Sequence, residues 1–219
     1  MNKYLLILII ALASSNIFTA QNKELDAIRN LQEFVATAKK EKWKQVKQKN
    51  GVTILYRNLE LFDTIEVREL MVKFTVSGTI DSILSKIKKP DNLKTWNQGI
   101  RSAKILKDKD TNWILHTVYK IPFPFSQQDL VASYNIEKRK DVIVISSKST
   151  PDYIEPIKGI TREGYNLSQW LLIKRKHRFF EIKFSAISIT NSKIPRWIKD
   201  PLIQRMLLKS FGKFKNSFP

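Results

Sequence analysis

The chain has 219 residues, 42% hydrophobic and 27% charged, which suits a folded domain with a sizeable core and argues against a disordered chain. It has no cysteine, which excludes disulfides, thiolate metal sites, cysteine nucleophiles and a lipid-anchoring cysteine, and only two histidines. The formal charge of +19 attracts polyanions, but 29 of the 39 basic residues are lysine and they are scattered, whereas specific nucleic-acid readout favours bidentate arginine; a solvated basic surface and one suited to anionic lipid head groups are the readings left.

Residues 1–20 read as a secretory signal peptide, with an uncleaved anchor as the alternative: Lys3 is a short positive start, residues 4–13 are an unbroken apolar run, and residues 14–20 are small and polar enough to precede cleavage after Ala20, Ala13 to Ser15 offering a smaller-residue site. The run is well short of the roughly 20 residues a membrane-spanning helix needs. Export to the periplasm or outside a bacterium follows, with one domain over residues 21–219.

Residues 22–42 carry Leu25, Ile28, Leu31, Val35 and Ala38 on one face, which predicts a first helix, with Trp43 packing it onto the remainder. Strands over 44–48 and 52–57 are joined by Asn50-Gly51, a turn in which both residues tolerate positive φ. The alternation of Leu70, Val72, Phe74 and Val76 with polar neighbours predicts a long strand over 67–76. A helix capped by Thr79 or Asp81 runs to Pro90, which stops it, and 91–99 form a turn or short helix carrying Trp96. Further strands are expected at 103–107, 113–121, 129–137, 142–149, 165–174 and 179–189. Between two of them, Pro122-Phe123-Pro124-Phe125 must leave the sheet, because proline cannot donate to a ladder. That loop either folds onto its own core, lines a cavity entrance or touches a membrane.

Residues 195–215 form the long final helix, with Trp197, Ile198, Leu202, Met206, Leu207, Leu208, Phe211 and Phe214 as an apolar stripe and Pro201 inside it. A stripe that wide needs a large apolar partner. The class is α+β, a curved antiparallel sheet gripping this helix, with the stripe serving as core or as the roof of a ligand cavity.

Four places together resemble a START domain, the steroidogenic-acute-regulatory-protein-related lipid transfer family: Trp43 with Asn50-Gly51-Val52 and Tyr56-Arg57; Pro122-Phe123-Pro124 through Asp129-Leu130-Val131; Gly159-Ile160-Thr161-Arg162; and Ile194-Pro195-Arg196-Trp197-Ile198. The resemblance spans about residues 40–215 and implies a helix-grip fold with an internal hydrophobic tunnel for one lipid, gated by the Pro-Phe-Pro loop and the last helix. Gln128 stands where family members often carry arginine, which bears on any salt bridge to Asp129. Ser192-Lys193 stand where a glycine pair is common, which bears on the flexibility of the gate.

Catalytic motifs are lacking: neither His116 nor His177 has a metal-ligand neighbour, and no phosphate loop, GxSxG elbow or HExxH occurs. His177 lies in a basic turn. His116 is either a hydrogen-bonded sheet residue or a tunnel-facing polar group. Asp129, Glu69, Arg162 and Glu163 are the candidates for buried charge, and Arg162 either pairs with a carboxylate or contacts a ligand head group. Alternation and the resemblance place Trp113, Tyr134, Phe184 and Met206 on the tunnel walls, with His116, Phe123, Phe125 and Arg162 as further ligand contacts. The expected protein is a monomeric, non-catalytic binder of a lipid or other hydrophobic small molecule, needing no cofactor or metal and touching anionic membranes peripherally. An enzyme of the same wider fold and a basic polyanion-binding protein are the alternatives.

Overall fold

In the computed structural model, residues 31–61, 65–121, 126–175, 177–189 and 196–219 are described. The order is α1 (Leu31–Thr37), β1 (Lys39–Lys40), β2 (Lys44–Lys49), β3 (Val52–Leu61), β4 (Ile65–Ser77), α2 (Ile80–Lys88), α3 (Pro90–Trp96), β5 (Ile100–Lys109), β6 (Asn112–Tyr119), β7 (Gln128–Arg139), β8 (Val142–Ser149), a 3-10 turn (Pro151–Tyr153), β9 (Thr161–Arg162), β10 (Asn166–Lys174), β11 (Phe179–Ser188) and α4 (Arg196–Asn216). The described strands form one curved open sheet in the order β1-β3-β4-β11-β10-β8-β7-β6-β5, with β2 on β3 and β9 on β7. All pairs are antiparallel except β7 with β9.

The local chemistry follows the sequence closely. Asn50 and Gly51 both have positive φ, at 51° and 73°, which makes the β2–β3 hairpin tight. Lys215 Nζ donates to Asn50 O at 2.9 Å, tying the end of α4 to this turn. Thr79 and Ser82 close a reciprocal capping box at the start of α2. Pro90 not only ends α2 but opens α3, where its missing N–H has no intrahelical acceptor to lose.

The first helix ends earlier than the sequence suggests. It stops at Thr37, and Lys39–Lys40 pair with Leu59 and Glu60 as β1. Residues 39–42 are Lys-Lys-Glu-Lys, with nothing apolar to bury by continuing the helix, so their backbone bonds to the sheet edge instead. The Trp43 ring lies under the Arg57 guanidinium at 4.4 Å.

The sheet has two buried faces. On one, Ile54, Val72, Phe74, Trp113, Ile145, Trp170 and Ile182 meet Ile83 and Ile87 of α2, Leu93 and Trp96 of α3, and Phe211 and Phe214 of α4. On the other, Leu59, Val67 and Ile187 are covered by Val35 and Ala38 at the α1 end. Phe214 is fully buried, with its ring 4.9 Å from Trp96, 5.6 Å from Phe74 and 5.7 Å from Trp170. The stripe on α4 is buried only in its C-terminal half. Trp197 is 77% exposed, Leu202 43% and Met206 37%.

Phe214→Ala removes the central ring of this aromatic cluster and should cost about 3–5 kcal/mol of stability. Urea unfolding read by circular dichroism measures it.

Candidate functional site

The register of the sheet sets the chemistry of its helix-facing side row by row. One row across the strands is Ile54, Val72, Phe184, Trp170, Ile145 and Ile136, all apolar. The next, two residues along each strand, is Tyr56, Leu70, Ala186, Ser168, Ser147, Tyr134 and Trp113. Beyond it, Asn58 pairs with Arg68 and Ser188 with Asn166. The face therefore grades from a packed aromatic plug under the C-terminal half of α4 to a polar surface under its N-terminal half.

Glu163 is the centre of the polar end. Ser188 Oγ and Asn166 Nδ2 both donate to its Oε1, and the Lys199 ammonium of α4 lies close enough to act on its charge. Burial pushes the Glu163 carboxyl up, and those two bonds and the Lys199 charge offset this only in part. The Tyr119 hydroxyl is driven well above its ordinary value by burial first and the Glu163 charge second. Tyr134 is pushed up to about 12 by burial, with a bond to Ser147 acting the other way. Ser147 and Ser168 share a hydrogen bond of 2.7 Å. Tyr119, Tyr134, Glu163 and Ser168 are half-buried. Arg68 stacks on Tyr56 at 4.2 Å and is ion-paired to Asp200 in the first turns of α4.

The charge cluster read from the sequence lies on the opposite face. Trp113 and Leu115 point at the helices, so His116, Val118, Val131 and Asp129, one residue out of phase, point away. Asp129 is fully buried there beneath the segment from Thr150 to Arg162. His116 Nε2 lies 2.8 Å from Asp129 Oδ2, and Arg162 donates to Oδ1 at 2.8 Å and Oδ2 at 2.9 Å. The remaining guanidinium donors go to the carbonyls of Pro151, Ile154 and Glu155. All five N–H groups of Arg162 are thereby used within the protein. Burial acts to raise the Asp129 pKa, but the bonds from Arg162 and His116 outweigh it and hold the carboxyl below its usual value.

This placement sets two of the expected ligand contacts off the helix-facing side. His116 faces away from the helix side and holds Asp129. Arg162 has no donor free for a head group. The substitution of Gln128 for an arginine leaves Asp129 paired all the same, because Arg162 reaches it from β9.

The other expected wall residues divide along the graded face. Trp113 is 1% exposed, stacked on Tyr134 at 4.8 Å and deep in the packed end. Phe184 sits at the boundary, against Trp170 and Phe211 at 4.8 and 5.3 Å. Tyr134 reaches the polar row with its hydroxyl. Met206 rests on the turn at Gly99, where an added Cβ would come 2.9 Å from its sulfur. Phe123 and Phe125 lie outside the described residues. Sequence reasoning singled out Glu163 only as one possible buried charge and missed Tyr119, Asn166, Ser188 and Lys199. The alternation Ile143, Ile145, Ser147, Ser149 carried the signal, since one strand face turns from apolar to polar along its length. An open groove lined by Lys107, Ile114, Ser133, Glu137 and Lys148 also includes Trp113 and Tyr134 in its lining. Among the described residues no three His, Asp or Glu side chains converge as metal ligands.

This architecture is the helix-grip fold of START domains. The chain superposes on a STAR-related lipid transfer protein from Xanthomonas axonopodis with a TM-score of 0.72 and 20% identity, over 81% of this chain and 98% of that one. It matches the human StAR-related lipid transfer protein 5 at a TM-score of 0.67 and 16% identity, over 91% and 95% of the two chains. A Streptomyces aromatase/cyclase shares the fold more loosely, at a TM-score of 0.52 and 10% identity over 69% and 93%. No family model matches the sequence, and no curated protein does.

Asp129 is ionised more readily in the folded chain than in the unfolded one, where its pKa is about 4. Its stabilising contribution is complete above that value and is lost as pH falls through the lower folded value. Unfolding free energy should therefore drop on acidification below about pH 4 more steeply in the wild type than in Asp129→Asn, as urea titrations taken down to about pH 3 would measure. Arg162→Leu, which leaves the carboxylate buried and stripped of its main partner, should cost about 3–5 kcal/mol at neutral pH.

Proposed function

We propose that the protein binds a lipid or another apolar small molecule between the sheet and the N-terminal half of α4, and shields or carries it outside the cytoplasm. The observation behind this reading is the graded inner face. Aromatic packing fills one end, while at the other the described residues Tyr119, Tyr134, Glu163 and Ser168 are polar and only half-buried. The START-domain fold supports it, since several solved relatives in structure are lipid transfer proteins. Each methylene taken out of water there contributes about 0.8 kcal/mol, so an apolar ligand body needs no charged anchor.

The signal-like residues 1–20 support export. Exposed Trp197 and Leu202 at the start of α4, together with the net positive charge, favour peripheral contact with anionic membranes by a monomer. Phe123 and Phe125 would join that contact if the loop gates the cavity as the resemblance implies. No cofactor or metal enters this reading.

One observation favours an enzyme as the second reading. A carboxyl with a raised pKa beside a tyrosine hydroxyl, as in Glu163 and Tyr119, suits proton transfer to a bound ligand. Turnover of a bound hydrophobic substrate that is lost in Glu163→Gln would favour it.

Native mass spectrometry of the mature protein purified from its own host, followed by extraction, should find a stoichiometric apolar molecule. A protein that is empty and takes up nothing from vesicles would reject the binding reading. Trp197→Ser should slow lipid exchange between anionic vesicles severalfold with no change in melting temperature.

A further inference from the structure

The groove across β5, β6, β7 and β8 has a volume of about 500 Å³, within the range of small-molecule sites. Trp113, Tyr134, Ile136 and Ile145 pack on the helix side of the sheet, so Asn112, Ile114, Ser133, Asn135 and Ser146, their neighbours along the strands, face the other way. The register sets these residues in two rows. One is Lys107, Ile114, Ser133 and Lys148; the next is Lys109, Asn112, Asn135, Ser146 and, on β10, Gln169. The floor is a ladder of amides and hydroxyls, and Lys107 and Lys148 flank it with their backbones about 14 Å apart, three strand spacings. Lys107, Lys109 and Lys148 have no ion-pair partner among the described residues. Glu137 in the lining is held by Arg139 at 3.2 Å, and Asp108 nearby is held by Lys88. An amide donates and accepts at once, which matches neighbouring hydroxyls of a sugar, and an unpaired lysine matches an anion. A nucleic acid needs an accessible ring on which to stack a base, whereas Trp113 and Tyr134 are stacked on each other on the helix side.

We propose that this groove binds an acidic oligosaccharide. Its hydroxyls lie over the ladder of Asn112, Asn135 and Ser146, and its carboxylates reach Lys107 or Lys109 on one side and Lys148 on the other. The groove is on the opposite side of the sheet from α4, so this site stands or falls separately from the apolar ligand proposed above.

The test titrates trigalacturonate and neutral maltotriose into the purified protein at about 0.15 M salt, which screens general attraction to the net charge beyond about 8 Å. The acidic trimer should bind at least about tenfold more tightly, as two charge-assisted bonds allow. Lys107→Ala combined with Lys148→Ala should abolish that preference. Lys47→Ala combined with Lys49→Ala removes the same charge from β2, at the far side of the sheet, and should leave the affinity within about twofold. Asn135→Ala should weaken the trimer severalfold. On the wild type, bound trimer should protect Lys107 and Lys148 from acetylation and leave Lys47 and Lys49 reactive, which locates the site even if a variant fails to fold. The proposal is overturned by a wild type with no preference for the acidic trimer, by equal losses in the two double variants, by an Asn135→Ala protein that binds as the wild type does, by unprotected Lys107 and Lys148, or by tighter binding of oligouridylate at the same salt.

Discussion

The structure hangs on the insertion of Phe214 into the ring cluster of Phe74, Trp96, Trp170 and Phe218. Three of these partners come from β4, α3 and β10, which are distant in sequence. One helix side chain thus holds the sheet's inner face, the two short helices and α4 in a common arrangement. Offset and edge-to-face rings at about 5–6 Å combine large buried area with defined orientation, so the contact fixes both the position and the rotation of α4. Lys215 bonded to the β2–β3 turn, and Phe218 against Gly78, secure the same end.

Because the packed rings of α4 stop at Phe211 and Trp197 near its start is exposed, ring packing holds the helix at one end only. Further towards its N-terminus the contacts change kind. Arg68 with Asp200, and Glu163 with Lys199, replace ring packing. Polar contacts need less close packing than rings, and Pro201 interrupts the backbone ladder in the same stretch. The closed end and the accessible end are therefore two consequences of one distribution of side chains along a single helix and the sheet rows beneath it.

Charge is partitioned with similar economy. Asp129, Arg162 and His116 form a buried network on the outer face, where they pin the segment between β8 and β10 through its carbonyls. Glu163 lies apart from this network, held by Ser188 and Asn166 on the inner side. Exposed lysines at hairpin tips, such as Lys138 and Lys140, stay hydrated at little cost.

Much of the fold was legible in the sequence. Period-two and period-three-to-four patterns located the nine long strands of the described residues and the final helix, Asn50-Gly51 specified its hairpin, and Pro90 marked the boundary between two helices. Those are local properties of backbone sterics and side-chain direction, so a short window contains them. The two-residue strands β1 and β9 escaped because they exist only through pairing with distant residues. The site was read less well for a definite reason. Alternation tells which residues share a face but not which face meets α4, and a shift of one residue carried His116 to the outer side. The acidity of Glu163, the full occupancy of Arg162 and the exposure of Trp197 all depend on neighbours brought together from across the chain. Sequence alone determined the elements and their amphipathic faces; only the tertiary structure decided which polar groups became a site, because burial and pairing are properties of the assembled whole.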